Sequence, residues 1–546
     1  MDPKRHEEYC AQLEGMKEAR YPYWVIWREL ADYYLPTRYS WLLSSSELAK
    51  KTARNPYILD GTGTSSARTL AAGMMNGITS PSRPWVKLRI NNFSDDANEA
   101  VKMWLEEATR RMLMIMAESN FYNALATMYL DLAIFGSAAM LIYEDRDSVI
   151  RCYTPALGEF YFAESARGEV NQFAREFYLT PLQLREQFGE ENLSEPTKQL
   201  LKGGGKGLHT KIKIAHLIVP NPGKAKGFAF SEYYWESGAP HGKLLSEKGF
   251  KELPGIFVRW EVNGNDAYGT CPGMDALGDV IQLQHETKKK AQGLDKLMDP
   301  PVVADIQLQN RPTALQPRGV TYVAGTQNVG IRPAYQVQVP LQEMTMDIRE
   351  VQTRIREIFH NDLFRMISQL ETVRSATEID ARREEKLVLL GSVLERFDNE
   401  ALDPAINRIF NIMARAGLLP EAPPDLANVD IEIEYVSILS AAQRAVGVIP
   451  TERFLGLVGN LAAIRPEVMD IPNFDLLLRD YARDIGVSAR GINPVAETMQ
   501  LRQSRQEQLA AQEMAVQGDV AVNAAKTLSE TQVTPGVNAL QAIIGG

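Results

Sequence analysis

Cysteine is scarce. The chain has three (Cys10, Cys152 and Cys271) in 546 residues, an odd and widely spaced set that argues against a disulfide framework or a cysteine-based zinc site and fits a reducing cytoplasm. Long apolar runs are missing too. The N-terminal stretch Met1 to Glu8 lacks the apolar core of a signal peptide, and the uncharged run from Leu132 to Tyr143 falls short of the ~20 residues that cross a bilayer. A chain with no membrane role is expected. A basic surplus is also absent: the net charge is -10, so no global attraction draws nucleic acid, and any DNA contact has to be local or weak.

Motifs that carry chemistry are equally thin. There is no His-Glu-x-x-His zinc motif, no Gly-x-Ser-x-Gly elbow and no Walker A loop. The six histidines (His6, His209, His216, His241, His285, His360) show no ligand spacing; only His209 and His216 lie near each other, and all six read as structural or surface residues. Gly61 and Gly63 invite a phosphate-loop reading, but the dinucleotide fingerprint is incomplete and no strong strand precedes them, so a turn with a helix cap accounts better for Asp60 to Ser66. Lys202 to Gly207 is glycine-rich without Walker spacing and reads as an exposed loop. Catalytic residues, metal ligands and cofactors are expected to be absent.

What is present is a globular composition, 45% hydrophobic and 23% charged, with room for about three to four domain-sized units. The chain is organised around residues 268 to 360. Thr270 is the expected N-cap of a helix that opens at Pro272 and continues to Met298, where Asp299-Pro300-Pro301 stops it. Short β-type runs follow (Val302 to Ala304, Val320 to Val323, Tyr335 to Val339) between proline and glycine turns. A second helix starts at Leu341, with Met344, Ile348, Val351, Ile355 and Ile358 forming a packing stripe. The first helix is apolar at its ends but polar in its middle, where Lys288, Lys289 and Lys290 stand. A helix this polar is a poor fit to the centre of a monomeric core. At ~1.5 Å per residue it would span ~39 Å, which suggests a wall element in an assembly. The lysines read either as a solvated face or as a DNA contact.

Before this stretch, residues 4 to 35 read as two helical pieces, the second starting at Pro22, and two further helices follow between Asp95 and Phe135. Strands are expected at Ala139–Tyr143, Val149–Tyr153, Glu159–Phe162, Val170–Tyr178, Lys211–Val219, Ser231–Trp235 and Ile256–Glu261, making the first 260 or so residues one α+β domain. Beyond His360 come a mixed helix and loop segment with Arg365 and Arg374, a capping box at Ser375 to Glu378, and a long helix through Leu387, Leu390, Leu394 and Phe397. Pro404 should bend or interrupt that helix. One more strand is expected at Val429–Val436, then helices, a glutamine- and alanine-rich helix around Met499 to Gln517, and a loosely held end from Thr534.

Three stretches together resemble the portal, or head-to-tail connector, proteins of short-tailed double-stranded DNA phages. They are YGTCPGMDAL (268 to 277), with Thr270 where that family commonly has arginine; SATEIDARREEKLVLLGSVLERF (375 to 397), with its Leu390-Gly391 pair; and the Gly61 to Trp85 segment with its Pro-x-x-x-Trp ending. The resemblance implies an α+β portal fold with a helical stem, a β-rich clip, a mixed α/β wing and an α-helical crown, assembled as a ring, typically of twelve. It assigns 1–262 and 375–430 to the wing, 263–300 and 341–360 to the stem, 301–340 to the clip, 361–374 to a tunnel loop facing DNA, 431–510 to the crown and 511–546 to a C-terminal tail. The implied partners are double-stranded DNA, a separate terminase motor, the major capsid protein and scaffold, and tail or adaptor proteins, in a virion assembled in the host cytoplasm. Lys288, Lys289, Lys290, Arg365 and Arg374 become DNA-channel candidates; Gln307, Gln309, Arg311, Arg318 and Arg332 become clip or adaptor-docking candidates. A tail adaptor or scaffold is the alternative. A packaging enzyme fits less well, for want of a phosphate loop or acidic metal cluster.

Overall fold

The structure, a computed structural model, describes residues 3–41, 57–90, 99–223, 227–238, 243–264, 266–298, 302–303, 332–333, 340–369, 391–424, 431–436, 454–462, 465–484, 493, 495–530, 532–534, 537–538 and 543. It is α+β and divides into two compact units, Met1–Val446 and Gly447–Gly546.

The first unit opens with helix α1 (Pro3–Tyr33), which runs through Pro22 instead of breaking there. The expected division into two pieces fails for a packing reason. Proline removes one N–H from the ladder and crowds the carbonyl four residues back, but that carbonyl belongs to the exposed Glu18, and both flanks are pinned. Tyr9, Leu13 and Met16 are buried before it, and Trp27, Leu30, Ala31 and Tyr34 after it. Helix α2 (Thr62–Gly77) starts at the turn expected there: Asp60 Oδ1 accepts from Thr62 N at 2.8 Å. Strand β1 (Val86–Ile90) and helices α3 (Glu99–Glu118) and α4 (Phe121–Phe135) follow.

The strands form antiparallel sheets. A three-stranded sheet has the order β3-β2-β9, from β2 (Ser137–Asp145), β3 (Val149–Tyr153) and, later, β9 (Gly255–Arg259). A five-stranded sheet combines β4 (Phe160–Glu164), β5 (Val170–Leu179), β6 (Ile212–Pro220), β7 (Phe230–Glu236) and β8 (Ser246–Phe250) in chain order. Strand β8 escaped the sequence reading because Ser-Glu-Lys-Gly-Phe carries no apolar alternation. Between β5 and β6, helix α5 (Pro181–Phe188) is closed by a capping box on Thr180, and α6 (Glu195–Gly203) is capped by Ser194. The glycine-rich stretch after it is largely exposed, as expected, though it closes into a 3-10 turn (Gly205–His209).

Alternation along the strands divides their side chains between two faces. Phe160, Phe162, Phe173 and Ile218 enter the main core, whereas Tyr161, Ala174, Leu217 and Tyr233 meet Tyr9, Leu13 and Met16 of α1. Charged groups inside this sheet are mutually satisfied. Arg175 Nε donates to His216 Nδ1 at 3.0 Å, and Arg175 Nη1 pairs with Glu159 at 3.3 Å; His216 Nε2 faces Glu232 Oε1 at 2.8 Å. Burial pushes the His216 pKa down to about 4, so the imidazole is neutral, accepting at Nδ1 and donating at Nε2. His209 is exposed and His216 buried, so the near pair in sequence does not converge.

A helical hairpin then leaves this body: α7 (Pro272–Asp275) and α8 (Leu277–Met298), the strand pair β10 (Val302–Val303) and β11 (Arg332–Pro333), and α9 (Leu341–Ile358). The β-type runs at 320–323 and 335–339 lie outside the described residues. Helix α10 (Asn361–Gln369) replaces the loop implied from residue 361; Leu363 and Phe364 are buried and give it a packing face. The capping box and helix start at 375–390 lie outside the described residues. Helix α11 (Gly391–Phe397), a π turn (Asp398–Leu402) and α12 (Asp403–Arg415) carry the chain across the interruption expected at Pro404, which sits in the first turn of α12. Strand β12 (Ile431–Tyr435) pairs with β1, which keeps it in the first unit.

In the second unit, helix α13 (Phe474–Asp484) and the 36-residue α14 (Val495–Glu530) precede a small hairpin of β13 (Gln532–Thr534) and β14 (Val537–Asn538). Helix α14 extends well past both ends of the expected 499–517 helix. The hairpin forms where a loosely held end was expected, because Pro535-Gly536 is turn sequence.

Two outcomes follow. A methyl group at Gly73 would lie 2.3 Å from Phe364 Cβ, whereas one at Gly15 meets nothing within 4 Å. Gly73→Ala should lower the thermal midpoint, since overpacking costs ~1–3 kcal/mol, and Gly15→Ala should raise it through helix propensity worth ~1 kcal/mol. At the π turn, burial, then Asp403, then Glu395 push Asp398 up to about 7. The folded state thus favours the proton, and stability should fall as pH rises from the ordinary carboxylate range through about 7. Unfolding scans of Asp398→Asn should show a higher midpoint at pH 8 and a flatter profile between pH 4 and 7.

Candidate functional site

The base of the hairpin is set by backbone contact. Gly136 has φ +76°, and a Cβ on it would fall 2.2 Å from Gly269 O; a Cβ on Gly269 would fall 2.6 Å from Gly136 O. Only glycine permits this approach. Around it, Gly269 N donates to Ser137 Oγ at 2.9 Å, Thr270 N to Glu261 O at 2.8 Å, and Cys271 Sγ to Ile134 O at 3.1 Å. Tyr268 is buried against Trp27 and Phe162, and its hydroxyl accepts from Phe162 N at 3.1 Å. Thr270 is therefore not the N-cap expected of it. Its N–H is drawn into a bridge with Glu261, and Cys271 takes the cap position without a side-chain bond. Burial raises the Cys271 thiol to about 12, which keeps it an inert structural group.

The polar middle of α8 is used in part for packing. Leu277, Val280, Leu283 and Gln284 are buried. Gln284 Oε1 accepts from Leu59 N at 2.7 Å and Asp60 N at 2.8 Å, and its Nε2 donates to Asp60 O at 2.9 Å. Gln352 of α9 donates to the Asp60 carboxylate at 2.8 Å. One turn before α2 thus clamps both limbs of the hairpin. The limbs also hold each other: Arg354 Nη2 lies 3.1 Å from Asp279 Oδ1, which raises the guanidinium pKa, and Ile348, Val351 and Ile355 are buried as their spacing predicts. His360, at φ +50°, turns the chain from α9 into α10.

The five channel candidates separate. Lys288 and Lys289 are exposed on α8, while the Lys290 ammonium donates to Thr345 Oγ1 at 2.9 Å and is tied to the returning limb. Arg365 is exposed on α10. Arg374 lies outside the described residues. So do Gln307, Gln309, Arg311 and Arg318 of the docking set; Arg332 is in β11, where its backbone pairs with Val303. No group of three or more His, Cys, Asp or Glu that could hold a metal occurs among the described residues, and no described helix is long and apolar enough to cross a membrane. The Asp60–Gln284–Gln352 clamp was missed. Its only trace in the sequence is the Asp-Gly turn, since the glutamines are more than two hundred residues away in the chain.

The site is thus a helical hairpin rooted in the body by backbone contact, with exposed residues along its outer limbs. The chain belongs to the family described as "Bacteriophage head to tail connecting protein", whose sequence model matches residues 6–492. It is 38% identical over 547 residues to the portal protein of Salmonella phage epsilon15, spanning 98% of this chain and 97% of that one. It is also 38% identical over 509 residues to the probable portal protein of Bordetella phage BPP-1, spanning 92% and 91%. The portal reading carried by the three motifs stands.

Gln284→Leu should remove the partner of three part-buried backbone groups, at ~1 kcal/mol for each, and lower the denaturation midpoint of the full chain. Gln282→Leu, on the exposed side, should change it by no more than ~0.5 kcal/mol.

Proposed function

We propose that copies of this chain close into a ring, of twelve as is typical of the family it resembles, at one capsid vertex, through which double-stranded DNA is packaged and later ejected. The observation that carries this is identity to two portal proteins over nearly the whole chain; the rooted hairpin supports it by supplying a limb suited to line a channel. Terminase docks on the ring first and supplies ATP hydrolysis, then tail or adaptor proteins replace it, and the major capsid protein and scaffold surround it. The ring itself is structural and becomes part of the virion.

In this reading α8 and α9 are the stem, 301–340 the clip and 361–374 the tunnel segment. The wing includes 1–262 and the returning chain. Residues 431–510 are the proposed crown and 511–546 the tail, with β12 at the start of that range paired to β1. A net charge of -10 with scattered exposed cations suits a conduit that lets DNA slide, since each phosphate contact adds to affinity. The cations proposed to meet DNA are Lys288, Arg365 and Arg374, with Lys289 and Lys290 as further candidates, and the proposed docking set remains Gln307, Gln309, Arg311, Arg318 and Arg332.

Negative-stain imaging with mass measurement tests the ring. Closed particles with an axial hole are expected, and stable monomers or solid assemblies across salt conditions would count against it. Alanine replacement of Lys288, Lys289, Lys290, Arg365 and Arg374 together should reduce packaging or retention of DNA; unchanged values for both would refute the residue assignment.

A further inference from the structure

The two limbs of the hairpin carry opposite charge on separate exposed stripes. On α8, Gln282, His285, Lys289, Gln292 and Lys296 are exposed and recur at steps of three and four. On α9, Glu343, Asp347, Glu350 and Glu357 are exposed and lie along one flank of the buried Ile348, Val351 and Ile355 stripe, with Arg354 as the cation among them. Glu350 pairs with Arg354 at 3.6 Å, and Asp347 acts on the same guanidinium at longer range; among the described residues Lys289, Lys296, Glu343, Asp347 and Glu357 have no ion-pair partner at contact distance. At ~100° per residue, Lys288 and Lys289 point to different sides of α8, so the two neighbours need not serve the same surface.

We infer that the Lys289–Lys296 stripe of one subunit docks on the Glu343–Asp347–Glu350 flank of the next, so that a second copy of this chain is the partner of both. The inference rests on the ring reading above. A closed ring requires two different surfaces of one chain to be complementary, and these two are. Their heights match at Lys289 and His285, while Lys296 lies further along α8, past the level of Leu341. The contacts Asp279 to Arg354 and Lys290 to Thr345 run antiparallel, which sets Lys289 level with the stretch from Thr345 to Asp347, and His285 near Glu350. Met346, 70% exposed on α9, supplies an apolar contact in the same region. Lys289 thereby leaves the DNA set for the subunit interface, and Lys288 stays.

Charge reversal tests this directly. Lys289→Glu with Lys296→Glu in one protein, and Asp347→Lys with Glu350→Lys in another, should each raise the concentration at which rings form by about tenfold, read by mass photometry. Circular dichroism and the thermal midpoint of the dissociated chains should match wild type. An equal mixture of the two proteins should recover assembly, since each reversed surface then meets its complement, and so should the four changes combined in one chain. Variants that assemble like wild type, or a mixture and combined variant that both fail to recover, would overturn the contact. A wild-type chain that forms no rings at all would instead overturn the ring reading, and this contact with it.

Discussion

The close approach of Gly136 and Gly269 is the constraint on which the geometry of the helical hairpin depends. Helix α4 ends at Gly136, strand β2 begins one residue later, and the Tyr268 to Pro272 segment lies directly on that corner. With a side chain on either glycine the backbones would separate, and the bonds from Gly269 to Ser137 and from Cys271 to Ile134 would go with them. The hairpin would then leave the body at another angle. Gly273 repeats the device one step further, where a Cβ would fall 2.6 Å from Ile134 O. A long limb gains from such a base, because an angular error at the root grows along the length of the helix.

The body that holds this root is stiffened by charged groups whose partners are distant in sequence. Arg259, at the end of β9, joins Glu164 of β4 at 3.2 Å and Glu400 of the π turn at 2.7 Å. Arg415 of α12 pairs with Glu144 and Glu252, and Arg408 also reaches Glu252. Isolated surface pairs contribute little to stability. These are partly buried and shared, however, so losing one member would strand the others in a poorly solvated site. They tie the returning segment after α10 to strands and a turn 141 to 271 residues earlier, and they keep the π turn with its protonatable Asp398 in register.

Local pattern made most of the helices and strands legible. Helices α3 and α4 and strands β2 to β7 carry strong periodicity and clear turn residues, and the packing stripe on α9 is buried at Ile348, Val351 and Ile355 and half-buried at its ends, Met344 and Ile358. The portal family was legible as well, through the order of three motifs. The failures have physical causes. Pro22 was read as a break because local sterics say so, yet packing on both flanks overrides them. Thr270 was read as a cap by residue type, but its N–H had a tertiary partner. The segment after His360 was read as mixed helix and loop; its described part, Asn361–Gln369, is helical with Phe364 resting on Gly73 of α2, a contact that no local window contains.

The sequence by itself determined the class of element along most of the chain and the connector family, since these depend on residue type and on spacing within a turn or two. The tertiary structure decided which polar residues are structural and which are presented outward. Gln284 and Gln352 are spent on Asp60, and Lys290 on Thr345, while Lys289 and the acidic flank of α9 are left exposed. In one dimension all of these are simply polar residues on helices. Their roles diverge because a hydrogen-bond partner fixed by chain folding either lies within about 3 Å or does not.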